Sequence, residues 1–219
     1  MSPRPLVFML ALAVVACAGR PPVTGEPQWD QQKIHLDLVR GMMAQGQYYA
    51  ALAHIQEQRN RGYKANDLRL LEAEAQRKLK RYPEAERTYR LLLTTSLAAE
   101  AYHGLGLLYA GRDLGQSLAN LRRAVQMRPA AAAMRNDFGY ALMLAGRYNE
   151  ALPELATASE LAPEQMQNAN NLIMLLVLMN NEAGVKRVAA EAGVRNDRLA
   201  ELRVQAQSLK PRNPGKGRR

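Results

Sequence analysis

Few residues here have chemistry to offer: one cysteine, Cys17, and three histidines, His35, His54 and His103, in 219 residues. A zinc site draws three or four Cys, His or carboxylate ligands at short, regular spacings. The histidines show no HExxH or related spacing, and Cys17 has no second thiol to join it. A glycine-rich phosphate loop and a GxSxG nucleophile turn are both absent, while Gly104-x-Gly106 falls inside a helical pattern where its role is close packing. Most glutamates fall on helix faces that look solvated. No catalytic, metal or cofactor site is expected, so an enzyme is not expected either. A lone cysteine also excludes an internal disulfide.

Cys17 offers chemistry of another kind. Residues 1–16 carry one cation, Arg4, and a ten-residue apolar run from Leu6 to Val15, too short to span a bilayer and laid out like a secretory signal. Ordinary cleavage near Ala18 would leave Cys17 without a role. The alternative carried forward is that Val14-Val15-Ala16-Cys17 resembles a bacterial lipobox. Its thiol would then be acylated, with palmitate-like chains, and become the new N-terminus. Each buried methylene contributes about 0.8 kcal/mol, so several chains hold a protein firmly. Ala18 follows, where Asp would signal inner-membrane retention, so the expected site is the outer membrane, facing the periplasm. Residues 17–30, with Pro21, Pro22 and Pro27, read as a tether. Trp29, the single tryptophan, stands where the tether meets the first helix and is expected to cap the array.

The elements beyond the tether repeat. Residues 132–165 split into two amphipathic patterns joined by Ala145-Gly146-Arg147-Tyr148 and closed by Pro163. The same frame returns along the chain. A small or slender residue recurs at Val39, Ala73, Gly106 and Gly139, spaced by 34, 33 and 33 residues. The second helix repeats a small residue at Ala51, Ala85, Ser117 and Ala151, and a larger apolar one at Ile55, Tyr89, Leu121 and Leu155. Tyr48, Tyr82, Leu114 and Tyr148 mark the turns, with the third turn one residue short. Four hairpins follow, at 32–65, 66–98, 99–131 and 132–165.

Phe138-Gly139, Gly146-x-Tyr148-x-x-Ala151 and Pro163, with Leu105-Gly106, Tyr109 and Pro129 one unit earlier, resemble the tetratricopeptide repeat (TPR) family. The resemblance spans about 135 residues. Units one and two depart from it, because Glu72 replaces a large apolar residue and Tyr63 and Leu97 replace the closing proline. Residues 166–193 form a degenerate fifth unit, with Leu172, Leu176 and Val188 in core places and Asn180-Asn181 at its turn. A last helix, capped by Asn196 or Asp197 and carrying Leu199, Leu202, Ala206 and Leu209 on one face, would close the array. The fold class is all-α: a right-handed TPR α-solenoid of about five hairpins with a capping helix, over residues 31–209.

Such folds bind partners along the groove lined by the first helix of each hairpin. The resemblance places His103, Leu107, Asn136, Tyr140, Met143, Leu144, Asn170, Met174, Val177 and Leu178 on that face. His103, Asn136 and Asn170 share one frame position and form either a ladder for the backbone of a docked segment or simply polar groove residues facing water. Leu107, Tyr140, Met143 and Met174 form an apolar set, open to a partner unless the chain itself covers them. TPR domains that clamp chaperone tails carry Lys and Asn where this chain has Leu36 and Arg40, so that class of partner is not expected.

The net charge is +10, and half of it lies in the last ten residues, KPRNPGKGRR, which read as a disordered basic tail over 210–219. A lipid-anchored chain with no nucleic-acid motif is not expected to bind nucleic acid; the partners are protein, and the membrane through Cys17. TPR lipoproteins of this length resemble pilotins, and the fourth and fifth units most resemble the TadD family of the Tad (Flp) pilus machinery. That resemblance implies an assembly factor for a secretin or pilus protein. The alternatives are a scaffold for cell-wall enzymes or outer-membrane protein insertion and, more distantly, a cell-wall hydrolase.

Overall fold

The structure is a computed structural model that describes residues 28–209. Cys17, the signal, the tether up to residue 27, the Trp29 side chain and the basic tail lie outside the described residues; residues 28–30, expected to belong to the tether, are instead the first turn of the first helix. Eleven α-helices account for the described chain: α1 (Gln28–Ala44), α2 (Tyr48–Asn60), α3 (Asn66–Lys78), α4 (Tyr82–Arg90), α5 (Ala98–Tyr109), α6 (Leu114–Met127), α7 (Ala132–Leu144), α8 (Tyr148–Leu161), α9 (Met166–Leu178), α10 (Glu182–Glu191) and α11 (Asn196–Ser208). They pair as five hairpins in which odd-numbered helices are the first (A) and even-numbered the second (B), with α11 left over at the end.

The small residues of the frame explain the pairing. Helices approach closely only where one of them lacks bulk. A Cβ added to Gly106 would lie 2.5 Å from Leu121 Cγ, and one added to Gly139 would lie 2.7 Å from Leu155 Cγ. The recurring large residue of each B helix therefore sits on the recurring small residue of its A helix. Ser117 Oγ donates to the Gly106 carbonyl at 2.8 Å, which satisfies a buried hydroxyl in the same contact. Gly104 serves the neighbouring interface instead, because a Cβ there would overlap the Tyr89 ring of the previous hairpin.

Four of the five A–B turns share one geometry. Gly46, Lys80, Gly146 and Asn180 take left-handed φ values of 72°, 60°, 71° and 56° just beyond the A helix. The next amide reaches back five residues, as in Arg147 N–H to the Leu142 carbonyl at 2.9 Å. The third turn lacks that residue. There Arg112 and Asp113 both donate to the Tyr109 carbonyl at 2.8 Å, and the Asp113 carboxylate caps α6 through the Gln116 N–H at 2.9 Å. The expectation of a short third turn is corrected: the connection 110–113 has four residues against three in the other A–B turns, and the one-residue deficit of the frame falls in α5, which stops at Tyr109, three residues past Gly106, where α7 runs five past Gly139.

The departures in units one and two have local causes. Glu72, where an apolar residue is expected, pairs with Arg59 of α2. Helix α4 stops at Arg90 without a proline: Leu92 and Leu93 N–H bond three residues back, to the Tyr89 and Arg90 carbonyls, and Thr95 Oγ donates to the Leu92 carbonyl at 2.8 Å and accepts from Leu97 N–H at 3.2 Å in the turns that follow. Pro129 and Pro163 act as expected, with Arg128 and Ala162 before them at φ −132° and −144°, outside the helical region. At the far end the expected cap is corrected. Arg195, in extended conformation, precedes α11 without a side-chain cap, while Asp197 lies inside the first turn and pairs with Arg195.

Along the array α1 touches α3, α3 touches α5, α7 touches α9 and α9 touches α11, and no pair of B helices makes comparable contact. Packing tighter on the A side curves the array with the A helices inside. Three apolar clusters fill it: a small one around Val39, Ile55 and Leu68, a middle one around Tyr89 and Leu105, and a large one running from Leu121 through Ile173 to Leu202. Helix α9 is buried on nearly every side, and α11 covers it where a sixth A helix would lie, with Leu202 and Ala206 fully enclosed and Leu199 and Leu209 packed at the edge. At the opposite end Ile34 and Leu38 of α1 remain 58% and 45% exposed.

Candidate protein-binding face

The A-helix face carries a continuous chain of polar side chains. Gln167 Nε2 donates to Asn171 Oδ1 at 2.9 Å, and Asn171 Nδ2 to Asn136 Oδ1 at 2.9 Å. Asn136 Nδ2 then donates to Asp137 Oδ1 at 3.3 Å. The other Asp137 oxygen lies 2.7 Å from His103 Nε2. A carboxylate in its ionised form only accepts, so this contact then takes a His103 tautomer with its N–H at Nε2. The chain crosses α9, α7 and α5 without a gap.

Glu74 of α3 extends the polar strip. Burial raises its carboxyl above the usual carboxylate range, against the pull of Arg77, His103 and Lys78. Beside it the Tyr89 phenol is pushed up to about 12, chiefly by burial.

The residues expected as a ladder for a docked backbone or for water form an internal chain instead, since Asn136 is 6% exposed and both ends of its amide are bonded within the protein. His103 and Asn136 belong to it, joined through Asp137, but Asn171 takes the place foreseen for Asn170. Asn170 is itself buried, and its Oδ1 has no hydrogen-bond partner. Adjacent residues Asn170 and Asn171 point to different neighbours, and the repeat frame alone cannot choose between them. Asp137 escapes the frame for a related reason, as it stands one position beyond the shared site.

The apolar set divides. Leu107, Tyr140, Leu144 and Val177 are half-buried and stand beside the polar chain. Met143 is 1% exposed and belongs to the large core cluster, so it has no surface to offer a partner. Met174 and Leu178, at 5%, are likewise core residues, although Met174 forms part of a cavity wall. The cause is α9, which packs against α7, and α11, which packs against α9.

His35 and His54, 19 residues apart in sequence, meet with Nδ1 and Nε2 3.2 Å apart. Burial, then the neighbouring His35 and Arg61, hold His54 below the usual histidine range. Among the described residues no group of three or more His, Cys, Asp and Glu side chains is arranged to hold a metal ion. No helix of the described residues is long and apolar enough to cross a membrane.

Over 95% of its length the chain is 32% identical to the TPR repeat-containing protein PA4299 of Pseudomonas aeruginosa, and it covers 86% of that protein. The chain is a tetratricopeptide-repeat protein. No protein-family model matches it. Among solved structures, PilF of Pseudomonas aeruginosa superposes with a TM-score of 0.67 at 16% identity, over 82% of this chain and 84% of that one. The TPR protein TTC0263 of Thermus thermophilus superposes with a TM-score of 0.63 at 22% identity, over 81% and 97%. YrrB, described as a TPR protein with an unusual peptide-binding site, gives 0.56 at 18% identity, over 80% and 90%. At these identities the likeness concerns the fold. TPR proteins in general are protein-binding scaffolds rather than enzymes, and on the A-helix face of this array partly exposed apolar side chains, among them Tyr140 and Val177 at the edge of the large cluster, accompany ordered polar groups.

Proposed function

We propose that this TPR protein is an outer-membrane lipoprotein, anchored through acylated Cys17, whose A-helix face binds a segment of a secretin or pilus-assembly protein in the manner of a pilotin of a Tad (Flp) pilus. One observation carries the binding part. Leu107, Tyr140, Leu144 and Val177 remain half-exposed on a face otherwise locked by hydrogen bonds, so the surface is preorganised before any partner arrives. The peptide-binding site ascribed to YrrB is a precedent for this use of the fold. The anchor rests on the position of Cys17 directly after the apolar run, and the pilus assignment on the resemblance of the fourth and fifth units.

The test is a pull-down with soluble residues 18–219 from detergent-solubilised outer membranes, run beside Leu107→Glu and Tyr140→Glu. Both sites are partly exposed, so these variants should keep the wild-type melting temperature. Capture of a secretin or pilus protein by wild type and its loss in both variants is the expected result. Capture of cell-wall enzymes or insertion machinery would keep the scaffold and overturn the pilus assignment; unimpaired capture by the variants would overturn the face. A Cys17→Ala chain should still bind while failing to place its partner at the membrane, and normal secretin assembly in that strain would remove the anchor from the reading.

A further inference from the structure

We propose that copies of this chain associate head to tail, the outer face of α1 in one copy packing on α10 of the next in the register that the array uses between its own hairpins. The proposal stands apart from the segment-binding reading, since it uses the two ends of the array and not the A-helix face.

The register is read from inside the molecule. Ile34 holds the frame position of Leu68, Ala101, Met134 and Asn168, and Leu38 that of Glu72, Leu105, Phe138 and Leu172. In the later units these positions face the B helix of the hairpin before. Asn168 Nδ2 donates to the Ala158 and Ala162 carbonyls of the α8 end at 3.0 and 3.3 Å, Glu72 pairs with Arg59 of α2, and the Arg122 guanidinium of α6 lies 5.9 Å from the Phe138 ring centre. The apolar residues at these positions are all buried there. Ile34 and Leu38, with no B helix before them among the described residues, are 58% and 45% exposed.

The last B helix carries the complementary edge. Ala192, just past the end of α10, holds the position of Leu92, Ala124 and Ala158, and Gly193 that of Val125. Those four are buried, whereas Ala192 is partly exposed and Gly193 exposed. Helix α11 does not close this edge. It packs on α9 and makes no comparable contact with α10, while α3, α5, α7 and α9 each pack on the B helix before them.

Size then selects the occupant. Two bulky apolar residues stand bare at one end and two small residues at the other, and bulk against a small residue is how one hairpin already meets the next where the Tyr89 ring lies on Gly104. Pairing α1 with α1 of a second copy would set bulk against bulk and leave the α10 edge uncovered. The residues directly before α1 carry Pro21, Pro22 and Pro27, which do not suit the missing helix. A head-to-tail contact is heterologous, so each added copy keeps a free end and the A-helix faces run on from copy to copy.

Analytical ultracentrifugation of residues 18–219 tests this. The average mass of wild type should rise to at least about twice that of one chain between about 5 μM and about 500 μM, the range of a weak contact. Leu38→Glu, at an exposed site, should keep the wild-type melting temperature and remain a single chain throughout. Gly193→Lys should block the other end; Gly193 has φ 64°, and Lys80 already adopts 60° in this protein. Should that variant not fold, Gly193→Asn takes its place, since Asn180 holds a similar backbone at φ 56°. Mixed in equal amounts, the head and tail variants should regain the larger species, because the intact α1 of one meets the intact α10 edge of the other. A wild type that stays single at every concentration overturns the proposal, as does association unchanged by Leu38→Glu. A tail variant that associates like wild type, the behaviour of α1 paired with α1, or a mixture no larger than its components overturns it too. The pull-down with Leu107→Glu judges the A-helix face separately.

Discussion

Gly139 and Gly106 hold the hairpins at a spacing that one methyl group would break. The atoms a new Cβ would meet are Leu155 and Leu121 at the centre of each interface, not the ends of long flexible chains. Overpacking of that kind typically costs about 1–3 kcal/mol, so Gly139→Ala and Gly106→Ala should each lower the urea midpoint without changing helix content by circular dichroism. Lys80 makes the opposite case. It holds the left-handed turn position that Gly46 and Gly146 hold elsewhere, at a steric cost for an L residue of roughly 1–2 kcal/mol. Glycine gives back part of that through its freer unfolded chain, and Lys80→Gly should gain about 0.5–1 kcal/mol in the same assay. Glu74 supplies the pH dependence. The folded protein keeps the Glu74 proton to higher pH than the unfolded chain does, because burial disfavours the carboxylate. The native state then binds more protons than the unfolded state in that range, so stability falls as pH rises from the ordinary carboxylate range through the raised value. Glu74→Gln should therefore stabilise more at about pH 7.5 than at about pH 4.5, as read from urea midpoints at the two values.

At the scale of the element, the sequence shows helices more plainly than it shows what each helix faces. Period, turn residues and closing prolines placed ten helices in five hairpins, because each signal acts within a few residues. The cap α11 was legible too, from Leu199, Leu202, Ala206 and Leu209 at helical spacing. The role of Met143 was not, since the frame position that faces solvent in an isolated hairpin becomes core once α9 lies against α7. The ladder was half legible for the same reason: His103 and Asn136 share a frame position, whereas their link Asp137 and the neighbour Asn171 depend on how one A helix is rotated against the next. Helix α11 yields a prediction at this scale. A chain ending at residue 194 removes the cover from α9, so it should melt earlier, bind hydrophobic dye and lose amide protection in α9 and α10 before α5 and α6.

Across the whole molecule the repeats are unequal partners. The large cluster joins α5 through α11, while the cluster at the first hairpin is small and Ile34 and Leu38 of α1 stay exposed. In a linear array stability is approximately a sum over units and their interfaces, so native-state hydrogen exchange should be fastest in α1 and α2 and slowest in α7 to α9. The candidate face lies mostly on the slow part, and that rigidity favours a bound segment over one that must order the surface itself.

The side-chain bonds that stitch α5, α7 and α9 together have a mechanical counterpart. Units stacked end to end behave as springs in series, where every spring carries the same force and the softest takes most of the stretch. Tension applied between the two ends of this array would be taken up first in the hairpins of α1 to α4, where the clusters are small and the side-chain bonds, from Arg59 through Glu72 and Gln76 to Thr88, join α2, α3 and α4 rather than one A helix to the next. The curvature around Tyr140 and Asn170 would then change little under load. A partner held there could be pulled without the grip changing shape.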